Sequence, residues 1–230
     1  MKKQILILTH GTHVWADNME TMFKDIGYAS DVISLRHGDI FPENIEEYSA
    51  IVIMGGMMGV YEIEEYPWLK QEIQELEKAL KLNIPALGIC LGSQILAHIH
   101  GGTVHKGDYG MSVGFTPISV IESDPIFGNE LHETPVCKWH GDRFTIPESA
   151  TLIATSDPYP NQAVRFDSGV YGVQFHPEIT PCRILNWYSA TLTHLPDDVP
   201  TLESFIAESQ THAHLSHTWL KLFFCRLLDE

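Results

Sequence analysis

Over the first hundred residues, short continuous apolar runs alternate with stripes at three-to-four spacing, the pattern that builds βαβ units around a parallel sheet. Residues 5–8 (Ile-Leu-Ile-Leu) are apolar without a break, as expected of a strand covered on both faces. A helical pattern over 15–26 stops at Gly27, and strands are predicted at 31–35 and 50–54, the second running into Gly55-Gly56. The helix over 67–82 is strongly marked: Pro67 suits a first turn, and Leu69, Ile73, Leu76 and Leu80 share one face. Lys70, Glu72, Glu75, Glu77, Lys78 and Lys81 cover most of the rest and read as a solvated face. A strand over 85–89 and an apolar helix over 93–100, closed by Gly101-Gly102, complete this half.

From about Thr103 strands follow one another without helices, at 113–121, 136–139, 152–155, 163–166 and 170–175, which predicts an antiparallel extension of the parallel sheet. The chain from Leu202 is helical in pattern, and Leu220, Phe223, Phe224 and Leu227 form a stripe suited to covering a core. No linker, repeat or low-complexity tract divides the sequence. The expected fold is α/β, a mostly parallel central sheet flanked by helices, with residues 1–195 as one domain and 196–230 as a helical extension packed on it.

Composition narrows the function. With 44% hydrophobic and 19% charged residues in 230, the chain can bury a core and is not of the disordered class. A net charge of −16 repels phosphate backbones and anionic lipid, which argues against nucleic-acid and membrane partners and for a small-molecule substrate. No apolar run approaches the roughly 18 residues of a membrane span, and the one after Met-Lys-Lys-Gln breaks at Thr9-His10-Gly11, so it reads as a strand and not a signal peptide. The four cysteines, at 90, 137, 182 and 225, form no CxxC pair and suit a reducing, cytoplasmic setting.

The chemistry concentrates in Leu87-Gly88-Ile89-Cys90-Leu91-Gly92-Ser93-Gln94. A nucleophile at a sharp strand-to-helix turn leaves no room for side chains two positions before and after it, and Gly88 and Gly92 stand at those positions. The turn aims the free N–H groups of the following helix at the nucleophile, which favours thiolate over thiol and can hold an oxyanion. Taken alone, the pattern also fits an inert buried cysteine between packing glycines. Of the 13 histidines, His176 ends the predicted strand 170–175, and parallel strands deliver their C-terminal ends to the edge where Cys90 lies. Glu178, two residues on, can fix the tautomer of His176.

On MGG at 54–56, GICLGSQ at 88–94, WHGD at 139–142 and GVQFHPE at 172–178, the sequence resembles the class I (triad) glutamine amidotransferases over residues 4–190. Within that superfamily it is similar to stand-alone domains like the glutaminase part of GMP synthase. The resemblance implies a flavodoxin-like fold of that family and no cofactor. It makes Cys90 the nucleophile, His176 the general base and acid, and Glu178 the orienting carboxylate. Gly56 and Leu91 would supply oxyanion-hole N–H groups, and Gln94 with the His140-Gly141-Asp142 segment would hold the amino-acid end of glutamine. The chain departs from the family pattern where Met57-Met58 replaces the usual Pro after the double glycine, and where Met111-Ser112-Val113-Gly114-Phe115 replaces an EIGW-like stretch. The ammonia released would pass to a synthetase or other acceptor subunit.

Two alternatives stay open in the sequence. A γ-glutamyl peptide hydrolase uses the same triad and differs only on the leaving-group side of the pocket, and a non-catalytic regulatory subunit can share the fold. No metal site is expected: His10 and His13, His98 and His100, His105, and His212, His214 and His217 form no ligand motif, and His98 and His100 point to different sides of a helix.

Overall fold

The computed structural model describes residues 3–11, 16–191, 195 and 199–229. Five strands pair in parallel: β2 (Ala29–Ile33), β1 (Gln4–Leu8), β3 (Ala50–Ile53), β4 (Ala86–Ile89) and, far along the chain, β11 (Val170–Val173). Beyond β11 the same sheet continues antiparallel through β10 (Ala163–Asp167), β9 (Thr151–Thr155), β6 (Ser112–Val120) and β7 (Thr134–His140). A separate pair joins β5 (Val104–Lys106) to β8 (Asp142–Phe144).

Alternate residues of the central strands feed two cores, which is why those strands carry unbroken apolar runs. Ile5, Ile7, Val52, Leu87 and Ile89 pack toward α1 (Asp17–Asp25) and α5 (Leu202–Asp229) through Met19, Phe23, Trp219, Phe223 and Phe224. Leu6, Leu8, Ile51 and Ile53 pack toward α2 (Pro67–Lys81) and α3 (Leu91–Ile99) through Leu69, Leu76 and Ile95. The stripe expected on the C-terminal helix is therefore buried, and Trp219 Nε1 donates to Phe127 O at 2.8 Å.

Several boundaries differ from the sequence expectation. The second strand ends at Ile33 because Ser34 N–H bonds Asp39 Oδ2 at 2.8 Å and the chain turns into a 3₁₀ turn, Leu35–His37. The third helix starts at Leu91, directly after Cys90, and the strand before His176 stops at Val173. α4 (Pro181–Thr191), β5 and β8 have no counterpart in that expectation: each strand has three residues, and α4 shares its apolar face with α5 through Ile184 and Phe205. Trp15, in the expected first helix, and His13 lie outside the described residues. No described helix is long and apolar enough to cross a membrane.

Candidate active site

Cys90 occupies the turn between β4 and α3 with φ 52° and ψ −105°, a conformation that costs a non-glycine residue roughly 1–3 kcal/mol. The surrounding backbone holds it there. Cys90 N–H donates to Val173 O at 2.8 Å, and Ser93 Oγ donates to Cys90 O at 2.7 Å. The two glycines are required by space: a Cβ on Gly88 would meet the Gly92 backbone, with Ser93 N at 2.6 Å, and one on Gly92 would meet Ile53 O, with Ile53 C at 2.7 Å. The elbow is thus locked against β3 and β11.

His176 follows β11, and its N–H donates to Cys137 O at 2.8 Å. Its ring reaches the cysteine from the side. A Cβ built on Gly55 would stand 3.0 Å from His176 Cε1 and 3.5 Å from Cys90 Cβ, so both residues press on the same point of the 55–56 loop. His176 Nδ1 donates to Glu178 Oε1 at 2.9 Å, and both side chains are buried. Burial alone would depress the imidazole pKa, but the Glu178 charge and then Cys90 outweigh it, so His176 is raised and holds its proton. For Glu178 burial pushes up, yet His176 and Arg183 bring it below the usual carboxylate range. Arg183 Nη1 lies 3.6 Å from the same carboxylate oxygen, and the Trp187 ring stands edge-on to His176 at 4.6 Å between centroids. The sequence gives no sign of either residue, because α4 carries no motif of its own.

A cavity of about 350 Å³ opens in front of Cys90. Gly56, Cys90, Gln94, His140, Gly141 and Asp142 line it, whereas His176, Glu178 and Leu91 are not among its lining residues. Gln94 Nε2 donates to Gln174 Oε1 at 3.2 Å, which fixes the amide against the wall. His140 Nδ1 donates to Asp142 O at 3.1 Å, leaving Nε2 as a buried acceptor with no partner among the described residues. Burial lowers the His140 pKa to about 3, so the ring is neutral. Asp142 is raised by burial, against the hydrogen bond from Tyr61, with the Glu62 charge adding to the rise. Met57, Met58, Gly59, Tyr61, Glu62, Lys106, Met111, Trp139 and Leu195 also line it; Trp139 belongs to WHGD, and Met57, Met58 and Met111 stand where the chain departs from the family pattern. In place of the family's Pro, Met58 tucks under Gly56 and is buried, while Met57 is 79% exposed at the mouth.

The helix 67–82 departs from its expected solvated face at one position. Glu72 is fully buried and its Oε1 lies 2.7 Å from His10 Nε2. Two other histidines named above bond backbone carbonyls: His100 Nδ1 donates to Leu96 O within its helix and His217 Nε2 to the distant Ile179 O, each at 2.7 Å. Among the described residues, no group of three His, Cys, Asp or Glu is placed to hold a metal ion.

A model of the family "Glutamine amidotransferase class-I" matches residues 15–184. The chain is 32% identical over 183 residues to a glutamine-hydrolyzing GMP synthase of Thermosipho africanus, covering 76% of this chain and 33% of that protein. It spans about a third of the length of the GMP synthases of the two Thermosipho species. Against a glutamine-hydrolyzing GMP synthase subunit from Haloarcula marismortui it is 35% identical over 151 residues, 64% of this chain and 72% of that one. Gamma-glutamyl peptidase 5 of Arabidopsis thaliana is 29% identical over 165 residues, 68% of this chain and 64% of that one. The crystal structure of a glutamine amidotransferase from Thermotoga maritima superposes over the full length of both chains with a TM-score of 0.92 and 31% identity.

Proposed function

Since the matched model covers most of its length, the chain belongs to the class I glutamine amidotransferase family, and from that premise we propose that it hydrolyses the γ-amide of glutamine to glutamate and ammonia through a thioester on Cys90. The observation that carries this reading is the Cys90 elbow, which lines the cavity, meeting the buried His176–Glu178 pair beside Gly55.

The cycle uses groups already in place. The Cys90 sulfur attacks the carbonyl carbon of the γ-carboxamide, and the carbonyl π pair moves onto oxygen. The N–H groups of Gly56 and Leu91 hold that oxyanion, Leu91 being the first residue of α3, where helical N–H groups lack intrahelical partners. His176 gives its proton to the amide nitrogen, the C–N bond breaks and ammonia leaves. Water then yields a proton to His176 while its oxygen attacks the thioester; collapse expels the sulfur and releases glutamate. Glu178 keeps the imidazole ring in register through both halves, with its charge neutralising the imidazolium. At the amino-acid end of the substrate, Asp142 and the free Nε2 of His140 accept from the ammonium, and Gln94 lines the same wall.

On this reading the ammonia acceptor is a separate synthetase-type protein, as the likeness to a GMP synthase subunit supports, and the setting is cytoplasmic. The test incubates the protein with glutamine and with a panel of γ-glutamyl peptides, following ammonia and glutamate, with Cys90→Ala as control. Glutamine turnover that disappears in the variant is the expected result. Cleavage of peptides without turnover of glutamine transfers the assignment to peptide hydrolysis, and turnover that survives in Cys90→Ala refutes the thioester route.

A further inference from the structure

The mechanism above leaves one buried ionic pair unused, His10 with Glu72, and the pair sits directly behind the oxyanion loop. Both ring nitrogens of His10 have a partner. Nε2 of His10 lies 2.7 Å from Glu72 Oε1, and Nδ1 lies 3.2 Å from Gly55 O. With Glu72 ionised, neither its carboxylate nor the Gly55 carbonyl can donate, so both ring nitrogens donate and the ring is an imidazolium. Of the remaining surroundings, the Trp68 π face favours the charge, whereas the Arg36 guanidinium and the protonated His176 oppose it. The Trp68 ring stacks over it at 5.8 Å between centroids, Arg36 Nη1 donates to its carbonyl at 3.0 Å, and the His176 ring lies across Gly55. Burial works against the charge, but Glu72 outweighs it and raises the His10 pKa.

Gly55 O belongs to the same peptide unit as Gly56 N–H. That peptide is trans, so its C=O and N–H point to opposite sides. Drawing the carbonyl back onto His10 therefore presents the Gly56 N–H on the far side, toward the cavity that Gly56 and Cys90 line. The loop has little other freedom: a Cβ on Gly56 would stand 2.6 Å from Leu91 Cδ2 and 3.0 Å from His10 Cβ, so the strip is held between the histidine and the elbow.

We propose that His10 is a positioning residue for the amide hydrolysis: by holding the Gly55 carbonyl, with Glu72 anchoring its ring, it sets the direction of the Gly56 N–H that receives the oxyanion. This role rests on the reaction assigned above. It separates the two nitrogens of one ring by task, Nδ1 for the loop and Nε2 for the anchor.

Two isosteres divide those tasks. In His10→Asn the side-chain N–H takes the place of Nδ1 and can reach Gly55 O, while Glu72 loses its partner. In His10→Gln the N–H takes the place of Nε2, keeping Glu72 and releasing the carbonyl. We expect His10→Gln to lose about 10²-fold in kcat with KM changed less than about threefold, the size of effect seen when one oxyanion donor is lost. His10→Asn should stay within about tenfold of wild type although it is the less stable protein. Glu72→Gln keeps the shape of the anchor without its charge and should lose less kcat than His10→Gln. Affinity for a γ-aldehyde analogue of glutamate, which adds the Cys90 sulfur across its C=O and places an oxyanion in the same position, should follow the kcat order. Alkylation of Cys90 by iodoacetamide, which forms no oxyanion, should be equal in all four proteins.

A kcat order that follows thermal stability, with Gln at or above Asn, overturns the role and leaves His10 as packing. So does a larger loss of kcat in Glu72→Gln than in His10→Gln, or a fall in alkylation that parallels kcat. A wild type that neither turns over glutamine nor forms the aldehyde adduct overturns the assigned reaction and the role of His10 with it; a wild type that does both isolates any failure to His10.

Discussion

Replacing Glu178 by Gln changes almost nothing but charge. In the wild type Glu178 Oε1 accepts from His176 Nδ1 at 2.9 Å and lies 3.6 Å from Arg183 Nη1, all three side chains being buried. The introduced amide can meet the imidazole in two ways. With its carbonyl oxygen accepting, the geometry survives but the charge that keeps His176 protonated is gone. With its NH₂ donating, Nδ1 becomes the acceptor and the neutral ring carries its proton on Nε2, the wrong tautomer for taking one up there. Either way His176 is a poorer acid and base, a contribution worth about 10²–10⁴ in rate, and kcat should fall by that factor. The stability cost combines two parts. A charge-assisted hydrogen bond of about 1.5–3 kcal/mol becomes a neutral one of about 0.5–1.5, and a buried guanidinium loses one counter-charge. A total of about 2–4 kcal/mol corresponds to a Tm lower by roughly 4–16 °C for a chain of this size. Glutamate release under saturating glutamine and differential scanning fluorimetry read the two effects. A variant with kcat within threefold of wild type would refute the orienting role of Glu178, whatever happens to its Tm.

Three other perturbations test the frame around the site. Gly92→Ala drives a methyl group into β3, 2.7 Å from Ile53 C, and overpacking of this kind costs about 1–3 kcal/mol; because Ile53 leads into Gly55-Gly56, kcat should drop more than tenfold, and an active, stable variant would show that the elbow is not tightly held. Trp219→Ala removes a fully buried ring from the core beneath α5, at about 3–5 kcal/mol, so a thermal melt should shift down by roughly 6–20 °C while kcat at 15 °C is unchanged. Stability should peak near pH 6.5. Below that, the unfolded chain protonates its counterpart of His140 while burial keeps the native ring neutral down to about 3, so stability is lost as pH falls through this window, by at most about 5 kcal/mol. Above pH 6.5, His10 and His176 keep protons that the unfolded chain has released, so the stabilisation they give below 6.5 is lost as pH rises through their raised pKa values. Urea midpoints measured from pH 4 to 9 read both limbs, and His140→Gln should flatten only the acid one; a midpoint that keeps climbing above pH 8 contradicts the charged assignments.

Much of the scaffold was legible because its causes are local. Ile5 to Leu8 and Ala50 to Ile53 had to be strands covered on both sides, since neither has a polar alternate to leave in water, and the two cores show each alternate residue buried. Gly88 and Gly92 were legible as the flanks of an elbow because their spacing reports a steric need, which the Ile53 and Ser93 backbone now supplies. The meeting of His176 with Cys90 followed from strand order, β11 lying next to β4. What failed was short or shared: β5 and β8 have three residues each, and α4 has its apolar contacts only in company with α5.

Glu72 shows a harder limit. On the helical wheel of α2 it falls between Leu76 and Ala79, at the edge of the apolar stripe, so it is the carboxylate itself and not the spacing that suggests water, yet it is fully buried. The assignment fails because it weighs a side chain only by its own hydrophobicity; it takes no account of an ionic partner 62 residues earlier in the chain. A carboxylate leaves water only where a cation and its hydrogen bonds replace the hydration it gives up, and His10 offers that only once β1 and β3 have brought its loop under Trp68 and beside Gly55. The same dependence explains why such a pair suits positioning work. Breaking it by half strands a buried charge, so the loop it holds is tied to the folded state of the whole sheet rather than to its own two glycines.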